Sequence, residues 1–77
     1  MAKAYVLIAV DSGHEDVVVG KIRSFPSVVE AHTILSGAND IIAEIERDDK
    51  ETIRKIVHEK IRKIPEVRST QVNIAMD

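Results

Sequence analysis

The sequence predicts an α+β domain whose elements run strand, helix, strand, strand, helix, strand. Three observations carry that prediction. Four segments alternate their side chains two by two, the pattern of strands whose successive residues face opposite ways. Two further segments repeat apolar residues at three- and four-residue steps, which is the helical period. Breakers fall between them, at Ser12-Gly13, Pro26, Gly37 to Asn39, and Pro65.

Residues 4–11, AYVLIAVD, set Val6, Ile8 and Val10 against Tyr5, Leu7 and Ala9. Both sets are apolar, which marks a strand covered on both faces. Ser12-Gly13 turns the chain; Ser12 suits a helix N-cap, and Glu15 and Asp16 suit a first turn with its positive dipole end. Over residues 13–24, Val18, Ile22 and Phe25 form one helical stripe that Pro26 ends. In VVEAHTILSG, Val29, Ala31, Thr33 and Leu35 are expected to face one way, and Val28, Glu30, His32 and Ile34 the other.

Gly37-Ala38-Asn39-Asp40 reads as a hairpin turn, because Gly and Asn tolerate the positive φ of tight turns. Residues 41–47, IIAEIER, alternate Ile41, Ala43 and Ile45 with Ile42, Glu44 and Glu46. Asp48-Asp49 then caps a second helix whose apolar stripe is Ile53, Ile56, Val57, Ile61 and Ile64. Arg62 and Lys63 suit its negative end, and Pro65 stops it. The last strand, VRSTQVNIAM, sets Val67, Ser69, Gln71 and Asn73 against Arg68, Thr70, Val72 and Ile74.

That order is the split βαβ arrangement, a ferredoxin-like fold with two helices on one face of a four-stranded antiparallel sheet. The chain has 77 residues, so we expect one domain spanning 1–77. A core of this size buries only about 60% of the unfolded surface, so extra burial by self-association would help it. The second sheet face is partly apolar and has no third helix to cover it. A dimer pairing two such faces is the economical solution.

Composition excludes several functions. Zero cysteines remove disulfides, thiolate metal sites and a Cys nucleophile. A net charge of −2, from 11 basic and 13 acidic residues, speaks against a strong global field for nucleic acid. Tyr5 and Phe25 are the only aromatics, too few for base-stacking platforms. The apolar N-terminal run is too short for a membrane span and no cleavage site follows it, so a cytoplasmic location is expected.

Chemistry is sparse. His14, His32 and His58 sit on different elements, without the spacing that puts two imidazoles on one helix face, so no metal site and no catalytic residue is expected. No Gly-rich phosphate loop implies a nucleotide cofactor, and none is expected. The polar clusters at the sheet ends are more informative. Ser36, Gly37, Asn39 and Asp40 offer free amides beside a carboxylate, and Ser69 and Thr70 add two hydroxyls. Together they suit a zwitterion, with amides and hydroxyls for a carboxylate and Asp40 for an ammonium group. The plain alternative is a turn with Asp40 capping the next strand.

The stretch VVEAHTILSGANDIIAEIE, followed by a helix and IPEVRSTQVNIAM, resembles the RAM domain of the leucine-responsive regulatory protein/AsnC (Lrp/AsnC) family. That family carries V-x-x-x-x-x-x-x-G-x-x-D before the third strand, filled here by Val29, Gly37 and Asp40. Its P-G-V-x-x-T-x-T opening of the last strand is matched by Pro65, Val67 and Thr70. The resemblance implies an effector-binding module that dimerises through its sheet, assembles into rings of dimers and binds a small amino acid between dimers. Carried over by residue, the contacts are Gly37, Asp40 and Thr70, with Ser36, Asn39 and Ser69 as neighbours. Asn39 stands where many relatives have an aromatic residue, Glu66 replaces the Gly, and Val72 replaces the second Thr, removing a hydroxyl.

The expected function is therefore non-enzymatic: amino-acid sensing without a DNA-binding domain or direct DNA binding, acting through full-length Lrp/AsnC regulators. Two alternatives come from other classes. A small dimeric α/β-barrel enzyme would have only His32, Asp11 and Tyr5 as acid–base groups. The basic segment RKIVHEKIRK (54–63) offers Arg54, Lys55, Lys60, Arg62 and Lys63 to phosphates or an acidic partner.

Overall fold

In the computed structural model, which describes residues 1–35 and 37–76, the predicted order holds. The elements are β1 (Ala2–Val10), α1 (Glu15–Arg23), β2 (Val28–Thr33), β3 (Ile41–Arg47), α2 (Lys50–Ile56) with a π-helical extension (Val57–Ile61), and β4 (Val67–Ile74). The strands form one antiparallel sheet in the order β2-β3-β1-β4. This is the ferredoxin-like fold. Both helices pack on the face that carries Ala4, Val6, Ile8 and Val10 of β1, and Ile41, Ala43 and Ile45 of β3. Ile8, Ile22, Ile41, Ile45, Ile53 and Ile61 are fully buried there. A core built mainly of β-branched residues suits stiff, pleated central strands.

Helix α1 starts later than the N-cap reading of Ser12. Gly13 takes φ +85°, the left-handed region that glycine enters without a Cβ clash, and is the only described residue at positive φ. That turn passes the N-cap to His14, whose side chain makes no capping bond. Instead the Gly13 amide donates to Glu15 Oε1 at 3.1 Å, and the His14 amide to the Asp11 carbonyl at 3.1 Å.

The facing predicted for β2 is corrected by a bulge. Val28 pairs with Ile45 and Glu30 with Glu44, leaving Val29 without a partner. One extra residue reverses the alternation before it. Val28 therefore turns to the core beside Ala31, and Val29 is 53% exposed. Strand β4 repeats the device: Val10 pairs with Val67 and Ala9 with Ser69, so Arg68 is the extra residue. Val67 thereby joins Val72 and Ile74 against the core. Each bulge follows a proline turn of the same build, in which the Val28 amide donates to the Phe25 carbonyl and the Val67 amide to the Ile64 carbonyl, both at 3.0 Å. The fold is thus two copies of a strand–helix–strand unit with β1 and β3 in the middle.

The second helix is capped as expected. Asp49 Oδ1 accepts from the Thr52 amide at 2.7 Å and from Thr52 Oγ1 at 2.9 Å. It does not stay α-helical. Ile53, Val57 and Ile61 are buried at successive four-residue steps, and in an α-helix each such step overshoots a full turn by about 40°. From Val57 the helix widens, with the Arg62 amide bonding the Val57 carbonyl at 2.8 Å. The wider turn brings Ile61 back over the sheet.

Candidate functional site

The β2–β3 connection is longer than a tight hairpin. It runs from the end of β2 at Thr33 to Ile41, and Gly37 within it does not adopt positive φ. Asp40 anchors its far end. The Asp40 amide donates to the Ile8 carbonyl at 2.8 Å, its carbonyl accepts from the Ile34 amide at 2.8 Å, and its Oδ2 accepts from the Val10 amide at 2.9 Å. One carboxylate oxygen thus completes the hydrogen bonding of β1 where β3 has run out, a role for a buried amide that water cannot serve. The other oxygen has no bond among the described residues.

Strand β4 reaches the same end of the sheet from the other side. Ile8 faces Ile41 on β3 and Thr70 on β4, and Ala9 faces Ser69. Asp40 and Ser69 therefore flank the end of β1, two strand spacings or roughly 10 Å apart. The two hydroxyls do not share a face. Thr70 lies on the helix side with Ile8 and is half-buried, whereas Ser69 lies on the open side with Ala9 and is exposed. Asn39 is half-buried and Gly37 exposed in the connection, and Ser36 lies outside the described residues. Among the described residues, no hydrogen bond joins the connection to Ser69 or Thr70. Val72 pairs with Val6 and packs on the core, so its methyl groups stand where a hydroxyl would face the helices.

Glu66 closes the neighbouring corner. Its carbonyl accepts from the Asp11 amide at 2.9 Å, and its carboxylate lies 3.8 Å from Lys21 Nζ. Its Oε1 is buried without a hydrogen bond, so only the longer ion pair with Lys21 compensates it.

A second feature lies on the open sheet face. Tyr5, Glu30, His32, Ile42 and Glu44 line a shallow depression of about 170 Å³. Two of the three acid–base candidates, Tyr5 and His32, meet there, but Asp11 is beyond the opposite end of β1, bonded to the corner at Glu66. The alternation of Glu30 with His32 is the sequence signal for this depression; the pairing of Glu30 with Glu44 comes only from the strand register. Among the described residues, no three His, Asp or Glu side chains are grouped to hold a metal ion. Among the described residues, no helix is long and apolar enough to cross a membrane.

Residues 3–77 match the family model of the Lrp/AsnC ligand binding domain. The chain belongs to that family. Its fold is similar to the crystal structure of FFRP-DM1, at 34% identity and TM-score 0.91 over 99% of this chain and 100% of that one. It is also similar to the protein PHS023 of Pyrococcus horikoshii, at 34% identity and TM-score 0.89 over 100% of this chain and 92% of that one. A transcriptional regulator of Neisseria meningitidis, solved as a complex with L-Met, shares the fold at 14% identity and TM-score 0.85, with 99% of this chain matching 50% of that one. A search of curated protein sequences finds no match. This Lrp/AsnC domain is thus a ligand-binding domain of a regulatory family, and the family is not an enzymatic one.

Proposed function

We propose that this Lrp/AsnC domain is an amino-acid effector module that couples ligand binding to its own assembly. The family match carries the reading, since it covers residues 3–77. The L-Met complex of the Neisseria regulator supports an amino acid as the class of ligand. In this chain the contacts fall to Gly37, Asn39 and Asp40, with Ser36 beside them, and to Ser69 and Thr70. Asp40 offers its second carboxylate oxygen to the ammonium group. The exposed main chain around Gly37, with the hydroxyl of Ser69 on the open side or of Thr70 on the helix side, offers donors to the carboxylate. Because about 10 Å separates Asp40 from Ser69 within one chain, a small amino acid meets both clusters only where a second copy supplies one of them. That requirement ties binding to assembly, and a ligand at such a junction stabilises the assembled form by mass action.

Assembly begins with pairing of open sheet faces into a dimer and continues into rings of dimers. The output of the module is transcriptional: in the cytoplasm it joins full-length Lrp/AsnC regulators through their matching domains. Thermal-shift screening against the twenty amino acids, run beside light scattering, tests the reading. At least one amino acid should raise the melting temperature and the mass of the scattering species together. A flat screen over a monomeric protein would refute both halves.

A further inference from the structure

The open face of the sheet has an apolar centre and a charged border. Leu7 and Ile42 sit opposite each other in register at the centre, half-buried, next to Ala9. The two longer dimensions of the molecule, 34 and 22 Å, bound the face at roughly 750 Å², close to the ~800 Å² per partner of a standard stable interface. Area and apolar centre therefore fit a second copy, but the charges do not fit one at neutral pH. Among the described residues that the strand register places on this face, Glu30, Glu44 and Glu46 are acidic and Lys3 is the one permanent cation. Lys3 Nζ is shared between Glu44 at 3.6 Å and Glu46 at 3.5 Å. Glu30 has His32 alone, with Nε2 at 3.2 Å from its Oε1.

We infer that pairing of these faces takes up protons at His32, so that the dimer tightens as the pH falls through the imidazole range. The inference rests on the sheet-face dimer proposed above and adds its regulation. With His32 neutral each face carries a net −2, and pairing two identical faces brings these like net charges together. Protonation of both imidazoles halves each charge and cuts their mutual repulsion to about a quarter. An interface that excludes water strengthens the effect, because each unpaired carboxylate then loses hydration. Other titratable and charged groups share this face with His32. Across β3 these are Glu44 and Glu46, and on β1 Lys3 and the phenol of Tyr5. Strand β4 adds only uncharged side chains to this face, namely Ser69, Gln71 and Asn73. From the helix side, Arg23 Nε is bonded to the Ala31 carbonyl at 2.9 Å. An imidazole is the side chain whose charge changes between about pH 5 and 8. The sign follows: the protonated form favours the dimer, so affinity is highest below that range and is lost as the pH rises through it.

Sedimentation equilibrium at low ionic strength between pH 5.5 and 8 tests this. The dimer dissociation constant should fall about tenfold from pH 8 to pH 5.5. His32→Gln should dimerise with a constant that no longer follows pH, and Glu30→Gln should tighten the dimer at pH 8. His14→Gln and His58→Gln should keep the wild-type profile. A dimer whose constant does not change with pH, or a His32→Gln protein that keeps the full pH response, overturns the inference while leaving the dimer standing. A chain that stays monomeric at every pH overturns both.

Discussion

The carboxylate of Asp40 holds the amide of Val10, with Oδ2 accepting at 2.9 Å. Val10 is buried at 3% exposure, so without that oxygen its N–H would face apolar surroundings. Asp40→Ala should cost about 1–3 kcal/mol in chemical denaturation, the penalty for a buried donor left unmade. Asp40→Asn keeps an acceptor for Val10 and should stay within about 1 kcal/mol of wild type. The Asn variant therefore removes the charge offered to a ligand while sparing the strand end, which the Ala variant does not.

The bulge in β2 makes a sharp distinction between neighbours. Val29→Ser should change stability by no more than about 0.5 kcal/mol, because its side chain is solvated. Val28→Ser removes an apolar side chain packed on the core and should cost about 1–2 kcal/mol. Equal costs at the two positions in urea denaturation would mean that Val29 is packed as closely as Val28 and would contradict the bulge.

The π-helical extension exists to keep Ile61 buried. Ile61→Ala should destabilise the protein by about 2–5 kcal/mol. It should also loosen the widened turn locally, read as faster hydrogen exchange at the Arg62 amide than at the β1 amides.

Asp49 links helix capping to pH. Its carboxyl sits below the usual value of 3.8 because the Thr52 amide and then the Thr52 hydroxyl donate to it. A depressed folded value means that its stabilising effect is complete above the unfolded value and is lost as the pH falls through the folded one. Asp49→Ala should therefore melt below wild type at pH 7, and the gap should narrow as the pH falls below the usual carboxyl value of 3.8 and through the lower folded one. A gap that stays constant to low pH would show that the charge on Asp49 is irrelevant to the cap.

The fold was legible because both apolar periods were clean. Ile41, Ala43 and Ile45 declared β3, and the isoleucine stripe declared the second helix. What the pattern hid were single-residue shifts. Val28-Val29 and Val67-Arg68 each pair two residues with one, and a bulge leaves no mark in an alternation that is apolar or polar on both sides of it. The start of α1 was hidden by Ser12, an ideal capping residue displaced by the positive φ of its neighbour Gly13. At the candidate site, Asp40 was legible as a turn acid, but its bond to Val10 crosses from β3 to β1 and depends on sheet order. Ser69 and Thr70 were legible as a pair, and only strand register reveals that they face opposite sides.

The central claim is that this Lrp/AsnC domain binds an amino acid at the end of its sheet. Isothermal titration of wild type, Asp40→Asn and Thr70→Val with the amino acid that gives the largest thermal shift tests it most directly. Saturable binding by wild type, weakened at least about tenfold in each variant while both stay folded, is the predicted result. Unchanged affinity in two folded variants would move the site away from Asp40 and Thr70 and contradict the account.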